Sequence, residues 1–415
     1  MISRRQFLGL VATGFTLPVF YRNYGLKHSF NVQNIVLTDE ALRIHRNALV
    51  LDGHNDLLHQ MRKKGYSSFE NFDLKQNHPT LQTDIPRLLK GGVGAQFWVV
   101  NGWYPGKTSE DKSSSGFCLE DIGLIYKMTE TYADIFALAR SADDILKIHS
   151  EGKIASLIGI EGGNAIENSL NILDSFYRLG ARYMTLAWGS TNDFVDSATD
   201  KAIHGGLTDF GKKLILEMNR IGMMVDISHI SADSMRDVLQ TSQSPVIASH
   251  SSAYSVANSP RNIPDDVLQR ISENEGIVMV NFFPGFLTPE GARIDNEFWK
   301  YLHLIESDQS INVTEREKLL EKWDEEHPVP GCSVEILVDH IDQIVKIAGL
   351  DHVGLGSDFD GIPFGPEYLE DVSYFPYITQ VLLNRGYDEK AINKILGGNF
   401  ISVFKKVEKV AMALS

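Results

Sequence analysis

Eight short apolar runs, each ending in a polar or chemically active residue, are spaced along the 415-residue chain: 48–51, 93–100, 154–160, 182–187, 223–228, 246–249, 277–282 and 353–357. They are continuously apolar rather than alternating, the pattern of parallel strands buried on both faces. Helical patterns separate them. In 208–221, Leu214, Ile215, Met218 and Ile221 form one stripe before Gly222, and in 333–348 an apolar face follows Ser333 as cap and stops at Gly349. Similar units are expected at 81–90, 119–139, 170–179, 231–240, 264–275 and from about Glu389 onward. Alternation of this kind predicts a (β/α)8, TIM-like barrel, with active groups at the carboxyl ends of the strands.

Three connections exceed what closure needs, 62–79, 101–116 and 289–331, and each follows a strand, so each belongs to the functional face. The last, an insertion holding Trp299, Tyr301 and Trp323, is expected to contain helix. No linker interrupts the body, so 31–415 reads as one domain. With 43% hydrophobic and 22% charged residues the chain can bury a large core, and a net charge of −15 disfavours nucleic acid as a partner.

Residues 1–30 differ from the rest: Arg4 and Arg5 precede a mostly apolar stretch over 9–20, and no acid occurs. This start resembles a twin-arginine export signal, implying the twin-arginine machinery as a partner and a periplasmic address; an uncleaved membrane anchor stays open because Pro18 interrupts the run. Cys118 and Cys332 are the only cysteines, and the sequence leaves open whether they pair.

The strand ends carry the chemistry. In Asp52-Gly53-His54-Asn55-Asp56, residues two apart in an extended segment face the same way, so His54 and Asp56 can grip one cation; alone, the pattern also fits a surface turn. Glu161, before Gly162 and Gly163, offers one oxygen to each of two cations or caps the next helix. The two glycines permit a sharp turn and leave space near the metals. His229 and His250 end neighbouring strands and complete a five-ligand metal site. Asp358 in Gly356-Ser357-Asp358-Phe359-Asp360-Gly361 is placed to move a proton from water to a leaving amine, or to act as a ligand or an acceptor for a histidine; Asp360 competes for the role.

Taken with Gly206-Leu207-Thr208-Asp209-Phe210-Gly211, Glu217-Met218-Asn219-Arg220, Arg261-Asn262-Ile263-Pro264-Asp265-Asp266 and Leu369-Glu370-Asp371-Val372, these motifs make the chain resemble the membrane (renal) dipeptidase family of zinc peptidases from about Val50 to Val407. The resemblance implies two zinc ions: His54 and Asp56 on one, His229 and His250 on the other, and Glu161 bridging. It also implies Asp358 for proton transfer and Arg261 for the terminal carboxylate of a small peptide, which suits a planar guanidinium; alone, Arg261 also fits a surface salt bridge.

One departure stands out. Where the mammalian members read Thr-Leu-Thr-His, with the histidine polarising the scissile carbonyl, this chain has Thr185-Leu186-Ala187-Trp188. Phe283 and Phe286 likewise offer no hydroxyl. The expected activity is an exported binuclear zinc dipeptidase acting through a metal-bridging hydroxide. The alternatives are a zinc amidohydrolase for N-acyl or D-amino-acid derivatives, with Trp188 as a pocket wall, and a metal-retaining binding protein with little turnover. A homodimer stays open.

Overall fold

The computed structural model describes residues 34–64, 68–102, 114–308 and 310–415; the export-signal assignment and most of the 101–116 connection lie outside these residues. Eight parallel strands close on themselves: β1 (Val50–Asn55), β2 (Val93–Asn101), β3 (Ile154–Glu161), β4 (Ala181–Thr185), β5 (Met224–Asp226), β6 (Ile247–Ala248), β7 (Ile277–Val280) and β8 (Val353–Leu355). Each pairs with the next, β2 with β3 through seven residues, Ala95 with Ala155 to Asn101 with Glu161, and β8 returns to β1. Helices surround them, giving the (β/α)8 barrel that the apolar runs predict. Among the described residues no helix is long and apolar enough to cross a membrane.

Every strand residue of β1 to β8 is buried. Inward residues such as Leu51, Phe97, Leu157, Tyr183 and Met224 pack with Phe400 and Phe404 of the final helix, Asn399–Leu414. The outward set forms the larger core with the helices.

Five of the predicted runs stop short as strands, two of them for a visible local reason. The run 223–228 stops at Asp226 because its Oδ1 accepts from the Ser228 and Ser249 backbone N–H groups (3.0 and 2.9 Å), which takes over from the ladder. The run 353–357 stops at Leu355 because Ser357 N–H donates to Asp52 Oδ1 at 2.7 Å. The expected helix 119–139 is instead a helix over Ser114–Thr131 and then a ninth strand, Phe136–Leu138, beside β3. Phe136 packs edge-on against Trp98 there, a contact invisible to periodicity. The helix expected at 81–90 begins at Ile85, where Asp84 accepts from Arg87 N–H and Pro86 occupies the first turn. Ser333 precedes Val334–Ala348 without its side chain capping it. Cys118 and Cys332 are both buried and unpaired.

The 289–331 insertion folds into two helices, Pro289–Ser307 and Val313–Glu326, with a small core of their own around Phe298, Leu302, Ile305 and Leu320. In the helix Val334–Ala348, fully buried His340 accepts from Ala253 N–H at its Nδ1 and donates from Nε2 to Leu287 O, both at 3.0 Å. Burial pushes its pKa down to about 4. The neutral form is therefore favoured by folding, and this stability is present above the unfolded value near 6.5 and fades as pH falls toward 4. Between pH 7 and 5 the loss amounts to about 2 kcal/mol. Chemical denaturation of wild type and His340→Gln at both pH values measures it: the variant should lose correspondingly less on acidification. Equal losses would exclude the assignment.

Candidate metal centre

β1 runs on past its predicted end and delivers His54 into a buried cluster at the carboxyl ends of the strands. Glu161 Oε1, at the end of β3, lies 3.5 Å from His54 Nε2, 2.9 Å from His229 Nε2 and 3.6 Å from His250 Nε2. Asp56 Oδ2 is 3.4 Å and Asp358 Oδ1 4.0 Å from the same His54 nitrogen. His54, Glu161 and His250 form one group with ligand atoms within 4.8 Å of one another, and His54, Asp56 and Asp358 form a second. All five predicted ligands and Asp358 are thus brought together. His229 and Asp358 reach their places with left-handed backbones, φ 72° and 62°, a conformation that histidine and aspartate adopt more readily than most residues.

Supporting groups fix the ring orientations. Tyr183 OH lies 3.0 Å from His54 Nδ1 and donates to Gly53 O. Space for its ring comes from Gly159, whose absent Cβ would lie 2.2 Å from Tyr183 Cζ. Ser249 Oγ sits 2.7 Å from His250 Nδ1, Asn101 donates to Glu161 Oε2 at 3.2 Å, and Asn281 donates to Asp358 Oδ2 at 2.8 Å. Partners of this kind hold ligand tautomers and positions. The sequence hides Tyr183 in an apolar strand, and the two asparagines in strand-end positions that carry no motif.

The electrostatics fit a cation. Burial, with crowding by Asp56 and Asp358, raises the Glu161 pKa well above the carboxylate range; burial pushes Asp56 and Asp358 up to about 7. Burial lowers the pKa of His54, and those of His229 and His250 further still, leaving neutral imidazoles. Mutually repelling carboxylates beside neutral ring nitrogens are a donor set short of positive charge, and His54 Nε2 is buried without a hydrogen bond.

The remaining predicted residues divide. Arg261 is 1% exposed, sets its guanidinium carbon 5.2 Å over the Phe286 ring and places Nη2 3.1 Å from His229 Nε2, while Nη1 is buried with no hydrogen-bond partner. One nitrogen cannot both accept from Arg261 and bind a cation, so a metal on His229 Nε2 frees the guanidinium. Asp360 accepts Gln82 N–H at 2.8 Å and stands outside the ligand groups. Gly162 supplies the expected turn (φ 95°), but the room at Gly163 is filled by Leu186 O and the Phe194 ring rather than left near the ligands.

Above the cluster opens a cavity of about 470 Å³. Its outer wall is the insertion helix, through Phe298, Trp299, Leu302 and His303. Trp188 lines it too, 5.9 Å edge-to-face from Trp299 and 6.3 Å from the His229 ring.

Imidazoles and carboxylates gathered at the mouth of a (β/α)8 barrel, under a largely apolar cavity, define a metallohydrolase. The membrane dipeptidase model, peptidase family M19, matches residues 38–415. Dipeptidase tcpJ of Claviceps purpurea is 39% identical over 371 residues, 87% of this chain and 77% of that protein. Dipeptidase 3 of Mus musculus is 36% identical over 383 residues, 90% and 67% of the two chains. The crystal structure of the dipeptidase AC, a metallo peptidase, superposes with a TM-score of 0.71 at 26% identity, covering 86% of this chain and 98% of that one. The chain belongs to the membrane dipeptidase family, peptidase family M19, and is a metal-dependent enzyme acting on dipeptides.

Proposed function

We propose that the protein is an exported, binuclear zinc dipeptidase that splits dipeptides with a free terminal carboxylate. The observation that carries this reading is Glu161 Oε1, which stands within 3.6 Å of three imidazole nitrogens. His54 with Asp56 would hold one ion, His229 with His250 the other, and Glu161 both, a mixed nitrogen and oxygen set suited to zinc. Bound there, the ions would supply Lewis acidity toward the scissile carbonyl and lower the pKa of water toward about 7. The chain's own groups do the rest. Arg261 Nη1 and Nη2 clasp the substrate carboxylate and set the peptide bond over the cluster. Asp358, steadied by Asn281, takes a proton and returns it to the departing nitrogen, releasing two amino acids. Phe283, Phe286 and the insertion helix exclude bulk water. Residues 1–30 serve as a twin-arginine-type signal for delivery to the periplasm.

Metal analysis of the purified protein, together with amino-acid release from a panel of dipeptides and N-acylated amino acids, tests the proposal. Two zinc ions per chain and release from dipeptides are expected. One ion, or release from acylated amino acids alone, would reject it.

The aromatic wall of Trp188 and Trp299 favours a second reading, an altered pocket for N-acyl or D-amino-acid derivatives. Trp188→His discriminates between the two. If Trp188 only fills the space of the missing histidine, the change should raise kcat/KM on simple dipeptides, by a donor contribution of roughly 2–3 kcal/mol. If it packs on an unusual substrate, activity on that substrate should fall with no gain on dipeptides. Unchanged constants on both classes would remove residue 188 from the reaction centre.

A further inference from the structure

His59 follows the Asp56 ligand by one helical turn, on the short helix Leu57–Lys63, and its side chain lines the cavity. No hydrogen bond among the described residues uses its ring nitrogens, unlike His45, His340 and the ligand histidines, all of which are engaged. Burial, with Lys63 and Arg62 nearby, pushes its pKa down to about 4, so the ring is neutral and carries one open acceptor and one donor. It is the cavity imidazole that neither metal ligation nor fold support uses.

Position around the barrel says which part of a substrate it meets. Arg261 stands in the connection after β6, against His229 and Phe286. His59 follows β1, and the order β1-β8-β7-β6 puts three strand steps between them. With the carboxylate on Arg261 and the scissile bond over the cluster, the amino-terminal residue extends toward Asp56 and His59. We infer that His59 is a substrate-binding residue whose acceptor nitrogen takes an N–H of the dipeptide's free amino group. This rests on the Arg261 reading for its direction, and it gives the enzyme a feature that selects against acylated substrates.

The test compares wild type with His59→Phe, which keeps the ring shape and loses the hydrogen bond, and with His59→Gln, which keeps an acceptor. Each is assayed on Gly-Leu, its amide and N-acetyl-Gly-Leu, the acetylated compound being scored as a competing ligand where it is not cleaved. Metal content and melting temperature are recorded for each variant. His59→Phe should weaken kcat/KM for Gly-Leu at least tenfold through KM and leave N-acetyl-Gly-Leu within twofold, with metal content unchanged and partial recovery in His59→Gln. The preference for Gly-Leu over its amide should persist in both variants, which separates this outcome from a failure of the Arg261 reading. Equal losses on free and acetylated substrates, a loss matched by falling metal content or melting temperature, or a Gly-Leu constant within twofold of wild type would each overturn the inference.

Discussion

Glu161→Gln is expected to lower metal content to one ion or fewer and to reduce turnover about a thousandfold. The amide keeps the shape and the Asn101 contact but removes the one charge shared by three imidazoles. Breaking a buried charge-paired arrangement costs about 3–5 kcal/mol, which corresponds to two to three orders of magnitude or more. Metal analysis and steady-state kinetics on the same preparation check both halves. Full occupancy with ordinary activity would remove Glu161 from the bridging position.

Arg261→Ala should lower kcat/KM on dipeptides by a factor corresponding to about 2–5 kcal/mol, the range for one partner of a desolvated ionic contact. Amidated counterparts should fall far less, because they offer no carboxylate to clasp. The contrast is sharpened by burial: Arg261 is 1% exposed with its guanidinium carbon 5.2 Å over the Phe286 ring, so water cannot readily replace its partner. A uniform drop on both substrate types would instead mark Arg261 as a support for His229, whose ring it touches.

The part of the site legible in the sequence is the part that sits at strand ends. His54, Asp56, Glu161, His229, His250 and Asp358 each terminate an apolar run, and barrel geometry alone is enough to bring such ends together. The groups that orient them are not legible in this way. Tyr183 reads as one more core residue, because only the folded barrel shows its hydroxyl reaching His54 past Gly159. His59 reads as part of an amphipathic turn. Trp299 lies in an insertion whose helices are set by their own small core, so nothing local tells that it would pack against Trp188 in the cavity wall. The short strand at Phe136–Leu138 was hidden for the same reason: its pairing with β3 and the Trp98 ring decide its conformation.

The seam between the first and last strands has a consequence for how the enzyme comes alive. β1 and β8 share a single paired position, Asp52 with Leu355, and the Asp52 carboxylate secures it by accepting from both the backbone and the hydroxyl of Ser357, 305 residues away. His54 stands two residues beyond Asp52 on one side of this seam and Asp358 one residue beyond Ser357 on the other. No amino-terminal fragment that ends before Asp358 holds the complete constellation, so a ribosome must deliver most of the chain before the full site can assemble. Contacts this distant in sequence form slowly. The complete constellation therefore exists only where the first and last strands of the barrel are joined.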